Sequence, residues 1–483
     1  MDRILIFFNH RGYVDKKKIK EAKSLMKINV PEKVEYIIDV LMKHGYEAYA
    51  VGGCIRDSIL GREPGDWDIT TSASPYEVKE LFKRTIDTGI QHGTVTVMLD
   101  KEGFEVTTYR LDGEYEDCRH PKQVEFTKSL EEDLKRRDFT INAMAYNEAD
   151  GMVDLFEGLE DIKKRRIRCV GNAMDRFEED ALRILRAIRF SAQIDFEIEE
   201  ETKRAITMKA KNLVNISAER IREELNKIFL SKHPERLDIA YQAGITEYVL
   251  PEFDQKKKES TKNEEYKTYG DLCLQMLNEV SRFGEKPQML FGLSSRNKEE
   301  RNLTNKERIA LSYAILLAND NEKVMNFGWN VCEETANAAK KVMQRLRFDN
   351  DTVACVSKLV KYSCTCIEND DISLRRAMSE MGIELMDLWF LFQRVRLYTF
   401  ASQEQKIQQE YLESLYRRYE WIMESGHCVN LKEMKINGKD LIQLGCEPGV
   451  RLGELLKDLL DCVIEKPENN SKERLIQLAK ERI

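Results

Sequence analysis

No stretch restricts the possible folds of this chain more than Val51 to Thr70, VGGCIRDSILGREPGDWDIT. A short apolar run, Ala48 to Val51, meets paired glycines, Gly52 and Gly53. Their missing side chains let backbone N–H groups approach a phosphate closely. Ser58-Ile59-Leu60 reads as part of a short helix, and Arg56 offers the planar fork that suits phosphate. A turn-rich segment, Gly61 to Gly65, leads to Asp66-Trp67-Asp68-Ile69. Strand side chains alternate, so Asp66 and Asp68 are expected on one face, ~7 Å apart along the chain, with Trp67 on the other. Carboxylates so placed can share divalent cations. Singly, D-x-D fits a solvated strand end and GG a plain turn. In this order they describe a phosphate cradle beside a metal-holding carboxylate pair, the parts that nucleotidyl transfer needs.

The pattern GG-x-x-R-D, then L-G, then D-x-D, resembles motif A of the DNA polymerase β-like nucleotidyltransferases. Its form is similar to that of class II tRNA CCA-adding enzymes and bacterial poly(A) polymerases, and the resemblance runs from about Ile28 to the C-terminus. It implies an α+β fold: a polymerase β-like nucleotidyltransferase head domain followed by all-α neck, body and tail domains. The implied boundaries are an extension at 1–27, the head at 28–164, the neck at 165–232, the body at 233–340 and the tail at 341–483. Asp66 and Asp68 would then be catalytic and bind Mg²⁺, and Gly53 would lie against the nucleotide.

Composition adds bounds. Lys and Arg number 77 against 85 Asp and Glu, a net charge of −8, so contacts with a nucleic acid must come from local basic patches. The 11 cysteines are odd in number and include no C-x-x-C, which reads as free thiols in a reducing cytosol. No apolar run approaches membrane-spanning length and no leader is visible, so a cytoplasmic protein without membrane contact is expected. The oligomeric state stays open.

Along the chain, Val34, Ile37, Ile38 and Leu41 recur at helical spacing across Pro31 to His44, and Ser74-Pro75 opens a second helix through Phe82. Thr94 to Leu99 and Phe104 to Arg110 read as strands joined at Gly103. From Arg176 onward, charged helices dominate. Asp254 to Tyr266 and Arg296 to Lys306 have few apolar residues and are expected to be loops. So is Asp112 to Pro121, DGEYEDCRHP, where the family has a flexible loop.

Further motifs carry chemistry. Glu105 reads equally as a third catalytic carboxylate and as a surface residue on an edge strand. Arg136 to Met144, RRDFTINAM, resembles the family's motif B. Arg137 can bind triphosphate oxygens, and Asp138 or Asn142 sugar hydroxyls. Asp154 to Gly158 matches a family hinge loosely.

In Arg176 to Gln193, RFEEDALRILRAIRFSAQ, Ala181, Leu185, Ile188 and Ala192 form an apolar helical face. Asp180 and Arg183, three apart, would be neighbours on that helix, and spacing alone gives an ordinary salt bridge. With Glu179 they match the family's E-D-x-x-R motif. A carboxylate accepts and a guanidinium donates. Cytosine and adenine share an amino donor beside a ring-nitrogen acceptor, and uracil and guanine present the reverse, so a fixed Asp–Arg pair would select CTP and ATP without a template. The resemblance also implicates Arg186 and Arg189, in phosphate or supporting roles, and Ile216 to Glu224 resembles a structural motif with Ser217 as helix cap.

After His233 only His427 remains, and Ala318-Asn319 stands where a metal phosphohydrolase module of HD type would carry His-Asp, which implies a remnant without metal. The glycine-rich stretch Ile436 to Gly453 resembles the family's tail. It fits either contacts to RNA phosphates or a packed helical hairpin.

The resulting expectation is addition of cytidine and adenosine from CTP and ATP to the 3′ end of tRNA. Rivals are a poly(A) polymerase, an A-adding-only enzyme and an inactive RNA-binding module. Against the first, Thr88 to Thr94 lacks the basic G-[RK]-[RK]-F stretch of those chains.

Overall fold

The periodic run near the start becomes the helix Glu32–Lys43, which buries Val34, Ile37, Ile38 and Leu41. The computed structural model describes residues 27–112, 124–261, 265–285, 303–318, 332–400 and 402–483. The expected loop Asp112 to Pro121 and the extension 1–27 therefore lie outside the described residues except for Asp112 and Lys27, and residues 296–302 lie wholly outside them. Contacts group the chain into two compact units, one of residues up to 224 with 239–249, the other of 225–238 with 250 onward.

The first unit is built on a mixed seven-stranded sheet. In chain order its strands are β1 (Ala48–Val51), β2 (Ile69–Thr71), β3 (Thr85–Gly89), β4 (Thr94–Leu99), β5 (Glu102–Thr108) and, after the separate ladder β6 (Arg110–Asp112) and β7 (Val124–Phe126), β8 (Met144–Asn147) and β9 (Gly151–Asp154). Their spatial order is β3-β4-β5-β2-β1-β8-β9. Only β2 and β5 pair in parallel, Ile69 opposite Val106, and every other neighbouring pair is antiparallel. Ser74 begins the helix Pro75–Leu81 with a reciprocal capping box to Glu77, and Pro75 occupies the first turn, where a missing N–H costs nothing.

Two expectations for this unit change. The acid pair does not sit on a strand: β2 starts at Ile69, and Asp66 to Asp68 form the irregular lead into it. The Val51 N–H bonds the Asp68 carbonyl at 3.0 Å and holds that lead against β1. The stretch Arg176 to Gln193 is two helices, Ala173–Glu179 and Leu182–Ile194, with Asp180 in an extended conformation between them. The apolar face survives: Ala181, Leu185, Ile188 and Ala192 are all buried.

The second unit is helical among its described residues. Asp254 to Lys258, expected to be loop, belongs to the helix Pro251–Lys258, and residues 262–264 are outside the description. Its charges are paired, not idle: Lys257 bridges Asp238 at 2.7 Å and Asp271 at 2.6 Å, while Phe253 is buried. Composition suggested a loop because the stabilising partners lie elsewhere in sequence. Lys306, at the end of the other expected loop, belongs to the helix Asn305–Leu317, which Thr304 starts with a capping box to Glu307. Ala318 follows that helix, and Asn319 is outside the described residues. The glycine-rich segment is a packed hairpin, Gly438–Gln443 and Val450–Glu465. Its core gathers Met434, Ile436, Leu441, Cys446, Leu455 and Leu459.

Candidate active site

The strand register builds the acidic end of the site. Because Ile69 pairs with Val106, Asp68 falls one step before that pair, beside Glu105. Asp66, Asp68 and Glu105 are all solvent-accessible. Among the described residues, none of their side chains accepts a hydrogen bond or ion pair from the protein. Protein mass crowding the Asp68 carboxyl raises its pKa, the Arg137 charge opposes this and the Asp66 charge adds to it. Glu105 is raised in the same way, by desolvation first and then by Asp68 and Asp66. Mutually repelling carboxylates that accept no hydrogen bond among the described residues form a suitable donor set for a divalent metal. Among the described residues no three such ligands are gathered to hold an ion by protein alone. Mg²⁺ does not need that: it commonly takes one or two carboxylates and completes its shell with water and substrate phosphates.

The glycine turn stands beside a buried ion cluster. Gly52 has φ +86° and ψ −128°, a region that side chains other than glycine's avoid, and the helix Gly53–Ile59 starts from it. A Cβ at Gly52 would lie 3.0 Å from Arg137 Nη1. Arg137 Nη2 reaches Asp133 Oδ2 at 3.4 Å, and its buried Nε has no hydrogen-bond partner among the described residues. Asp133, fully buried, also receives Arg136 at 2.8 and 3.0 Å and the Thr70 hydroxyl at 3.1 Å. Burial pushes its carboxyl up, but Arg137 and Arg136 outweigh that and hold it below the usual range. Sequence reading missed Asp133. The signal was there: it precedes Arg136 by three and Arg137 by four, the spacings that bring side chains together on a helix.

Several residues expected to face a nucleotide are engaged with one another. Arg56 is buried; its fork holds Asp57 through Nε (3.1 Å) and Nη2 (2.9 Å), and Nη1 donates to Asn142 Oδ1 at 2.5 Å. The Gly53 Cα faces that fork, since a Cβ there would lie 3.6 Å from Arg56 Nη2. Asn142 Nδ2 donates to Asp138 Oδ1 at 3.1 Å, and Arg186 Nε to Asp138 Oδ2 at 2.7 Å. Burial opposes the Asp138 charge, but Arg186, Asn142 and Arg183 hold its carboxyl far below the ordinary value. The Phe190 ring is flanked by the guanidinium groups of Arg189 (4.0 Å), Arg56 (4.9 Å) and Arg186 (5.5 Å). Arg56, Asn142 and Asp138 thus form one rigid relay.

The expected Asp180–Arg183 pair is not an ion pair in this structure. Arg183 Nη1 binds Glu179 at 2.7 Å, and Nη2 donates to the Arg136 carbonyl at 3.0 Å. Asp180 accepts both arms of Arg220, at 2.8 and 3.3 Å, and the Leu182 N–H at 3.0 Å. The helix break at Asp180 sends the two side chains to different partners, while the Arg183 N–H still bonds the Asp180 carbonyl at 3.0 Å. Arg189, about 60° around the helix from Arg186 by ordinary pitch (about 100° per residue, three residues on), turns inward instead to Glu224 at 2.5 Å. Ile216 to Glu224 therefore supplies the partners of Asp180 and Arg189. In the hinge stretch, Asp154 caps the helix Gly158–Lys163 by accepting from the Gly158 and Leu159 N–H groups. A Cβ at Gly158 would lie 2.4 Å from the Thr140 carbonyl, so only glycine fits there.

Comparison with known proteins identifies the family. The family model of the poly A polymerase head domain matches residues 48–168, one described as "Probable RNA and SrmB- binding site of polymerase A" matches 195–257, and one of tRNA nucleotidyltransferase domain 2 matches 320–479. The chain is 35% identical to the CCA-adding enzyme of Ligilactobacillus salivarius over 94% of its own length and 97% of that relative's. Against the CCA-adding enzyme of Lactiplantibacillus plantarum, identity is 52% over 41% of this chain, and the chain spans about half, 49%, of that relative. The crystal structure of the Bacillus stearothermophilus CCA-adding enzyme in complex with CTP superposes with a TM-score of 0.68 at 30% identity, covering 94% of this chain and 98% of that one.

Proposed function

The chain belongs to the CCA-adding enzyme family, and we propose that it adds cytidine and adenosine from CTP and ATP to the 3′ end of tRNA without a template, releasing pyrophosphate. The observation that carries this is that Arg137 lies close enough for its charge to act on Asp68, where, among the described residues, the exposed carboxylates of Asp66 and Asp68 and the buried Arg137 Nε have no hydrogen-bond partner. Asp66 and Asp68 would hold two Mg²⁺ ions, with Glu105 in reserve as a third acid; bound there, the metal supplies activation of the terminal hydroxyl and neutralisation of the triphosphate. Arg137 would hold phosphate oxygens. Arg56, Asp138, Asn142 and Arg186 would act as the relay that fixes the Gly53 turn and the neighbouring helix, and Arg189 as its brace. Asp180 and Arg183 would read the base edge. On this reading the head spans 28–164, the neck 165–232, the body 233–340 and the tail 341–483. Among the described residues no helix is long and apolar enough to cross a membrane.

One assay separates the readings: purified protein, tRNA ending before CCA, tRNA ending in CC, and each labelled nucleoside triphosphate in turn. Full addition gives CMP then AMP on the first substrate and stops after one AMP on the second. An A-adding enzyme acts only on the second, a poly(A) polymerase extends without stopping, and an inactive RNA-binding module binds without incorporation.

A further inference from the structure

Asp180 and Arg220 are 40 residues apart in sequence, yet the guanidinium clasps both carboxylate oxygens. Asp180 follows the helix Ala173–Glu179 with φ −140° and ψ 103°, an extended conformation that ends the helix. Oδ1 accepts from the Leu182 N–H at 3.0 Å and from Arg220 Nη1 at 3.3 Å, and Oδ2 accepts from Arg220 Nη2 at 2.8 Å. An ionised carboxylate offers roughly four acceptor positions. Three are occupied here, and both side chains keep solvent access, 25% for Arg220 and 18% for Asp180.

We infer that Arg220 is a positioning residue for base selection: its fork fixes the carboxylate plane of Asp180 so that one remaining acceptor position meets the amino group of cytosine or adenine. The inference rests on the assignment of Asp180 as a base reader. A carboxylate held only at its Cγ turns through a broad torsional well. It then presents either oxygen at a range of angles, and a mispaired base can find a tolerable geometry. A guanidinium fork removes that freedom because two parallel N–H groups match two oxygens at once. The ammonium of a lysine keeps the charge but contacts as a point, so it restores attraction without restoring the plane.

The test uses the full chain and tRNA lacking CCA, with Arg220→Ala, Arg220→Lys, Asp180→Ala and the double variant Arg220→Ala/Asp180→Ala. Arg220→Gln replaces the alanine variant if the latter does not fold. The readouts are kcat/KM for CTP, ATP, UTP and GTP, beside the melting temperature. A charge-assisted bond of 1.5–3 kcal/mol corresponds to about one to two powers of ten, and loss of aim alone should forfeit the smaller part. Arg220→Ala is therefore expected to lower the preference for CTP over UTP about three- to tenfold. Arg220→Lys should fall between it and the parent, and the double variant should select no worse than Asp180→Ala alone. Parental ratios in Arg220→Ala with a lowered melting temperature would reduce Arg220 to a brace and overturn the inference. So would a further loss of selection when Arg220 is changed in the Asp180→Ala background, because Arg220 would then act by another route. Unchanged ratios in Asp180→Ala itself would instead remove the base-reading assignment, and this inference with it.

Discussion

Replacing Gly52 by alanine should damage both the fold and nucleotide binding, and a second glycine separates the two effects. At φ +86° and ψ −128° an L-residue is held in a region that costs about 1–3 kcal/mol. The new Cβ would also stand 3.0 Å from Arg137 Nη1, closer than ordinary contact, so the guanidinium must shift by a few tenths of an ångström. Its bond to Asp133 is already long at 3.4 Å, and losing it adds about 1 kcal/mol. The expected loss is about 2–4 kcal/mol, with a raised KM for CTP because Arg137 has moved. Gly61 is the control: φ is +68° and nothing lies within 4 Å of its would-be Cβ. Gly61→Ala should cost about 1–2 kcal/mol and leave the KM for CTP at the parental value. Urea unfolding and steady-state kinetics on both variants give the comparison. If Gly52→Ala is no less stable than Gly61→Ala and has the parental KM, the contact between the glycine turn and Arg137 has no consequence and the reasoning fails.

Asp66→Ala or Asp68→Ala should abolish nucleotide addition while gel-retention assays still detect tRNA binding; incorporation at the parental rate would remove these carboxylates from the chemistry. Asp133→Ala leaves Arg136 and Arg137 facing a buried gap and should cost about 3–5 kcal/mol in urea unfolding, a loss that a value below about 1 kcal/mol would contradict. Asp133 and Asp138 both titrate below the ordinary carboxylate value when folded, so on acidification the unfolded chain takes up their protons first. Their contribution to stability is complete above the ordinary Asp range near pH 4 and is lost as pH falls through and below it. Unfolding followed between pH 6 and 3 should show Asp138→Asn with a shallower acid decline than the parent, and identical slopes would count against the buried relay.

Local pattern determined much of this protein by itself. The helix Glu32–Lys43, the strand Thr94–Leu99, the capped helix after Ser74 and the glycine turn were legible because each follows from neighbours a few residues apart. Periodic apolar positions, a serine three residues before a glutamate, and a glycine pair define their own geometry. The acid pair and the arginines of RRDFTINAM were legible as residue types for the same reason.

What tertiary structure decided is which of these groups meet. The parallel pairing of β2 with β5 brings Glu105 beside Asp68, although 37 residues separate the two, and no local spacing encodes that register. The helix break at Asp180 turns its carboxylate to Arg220 and leaves Arg183 to Glu179, because Asp180 adopts extended dihedrals where a continuous helix would set the two side chains together, while the Arg183 N–H still bonds the Asp180 carbonyl at 3.0 Å. Arg220 and Glu224, distant in sequence, took over as partners of Asp180 and Arg189. Lys257 made a helix of a stretch whose composition read as loop, because two aspartates reached it from other helices. A charge announces its chemistry in the sequence. Its partner is fixed only when packing excludes water and leaves one oppositely charged group within reach.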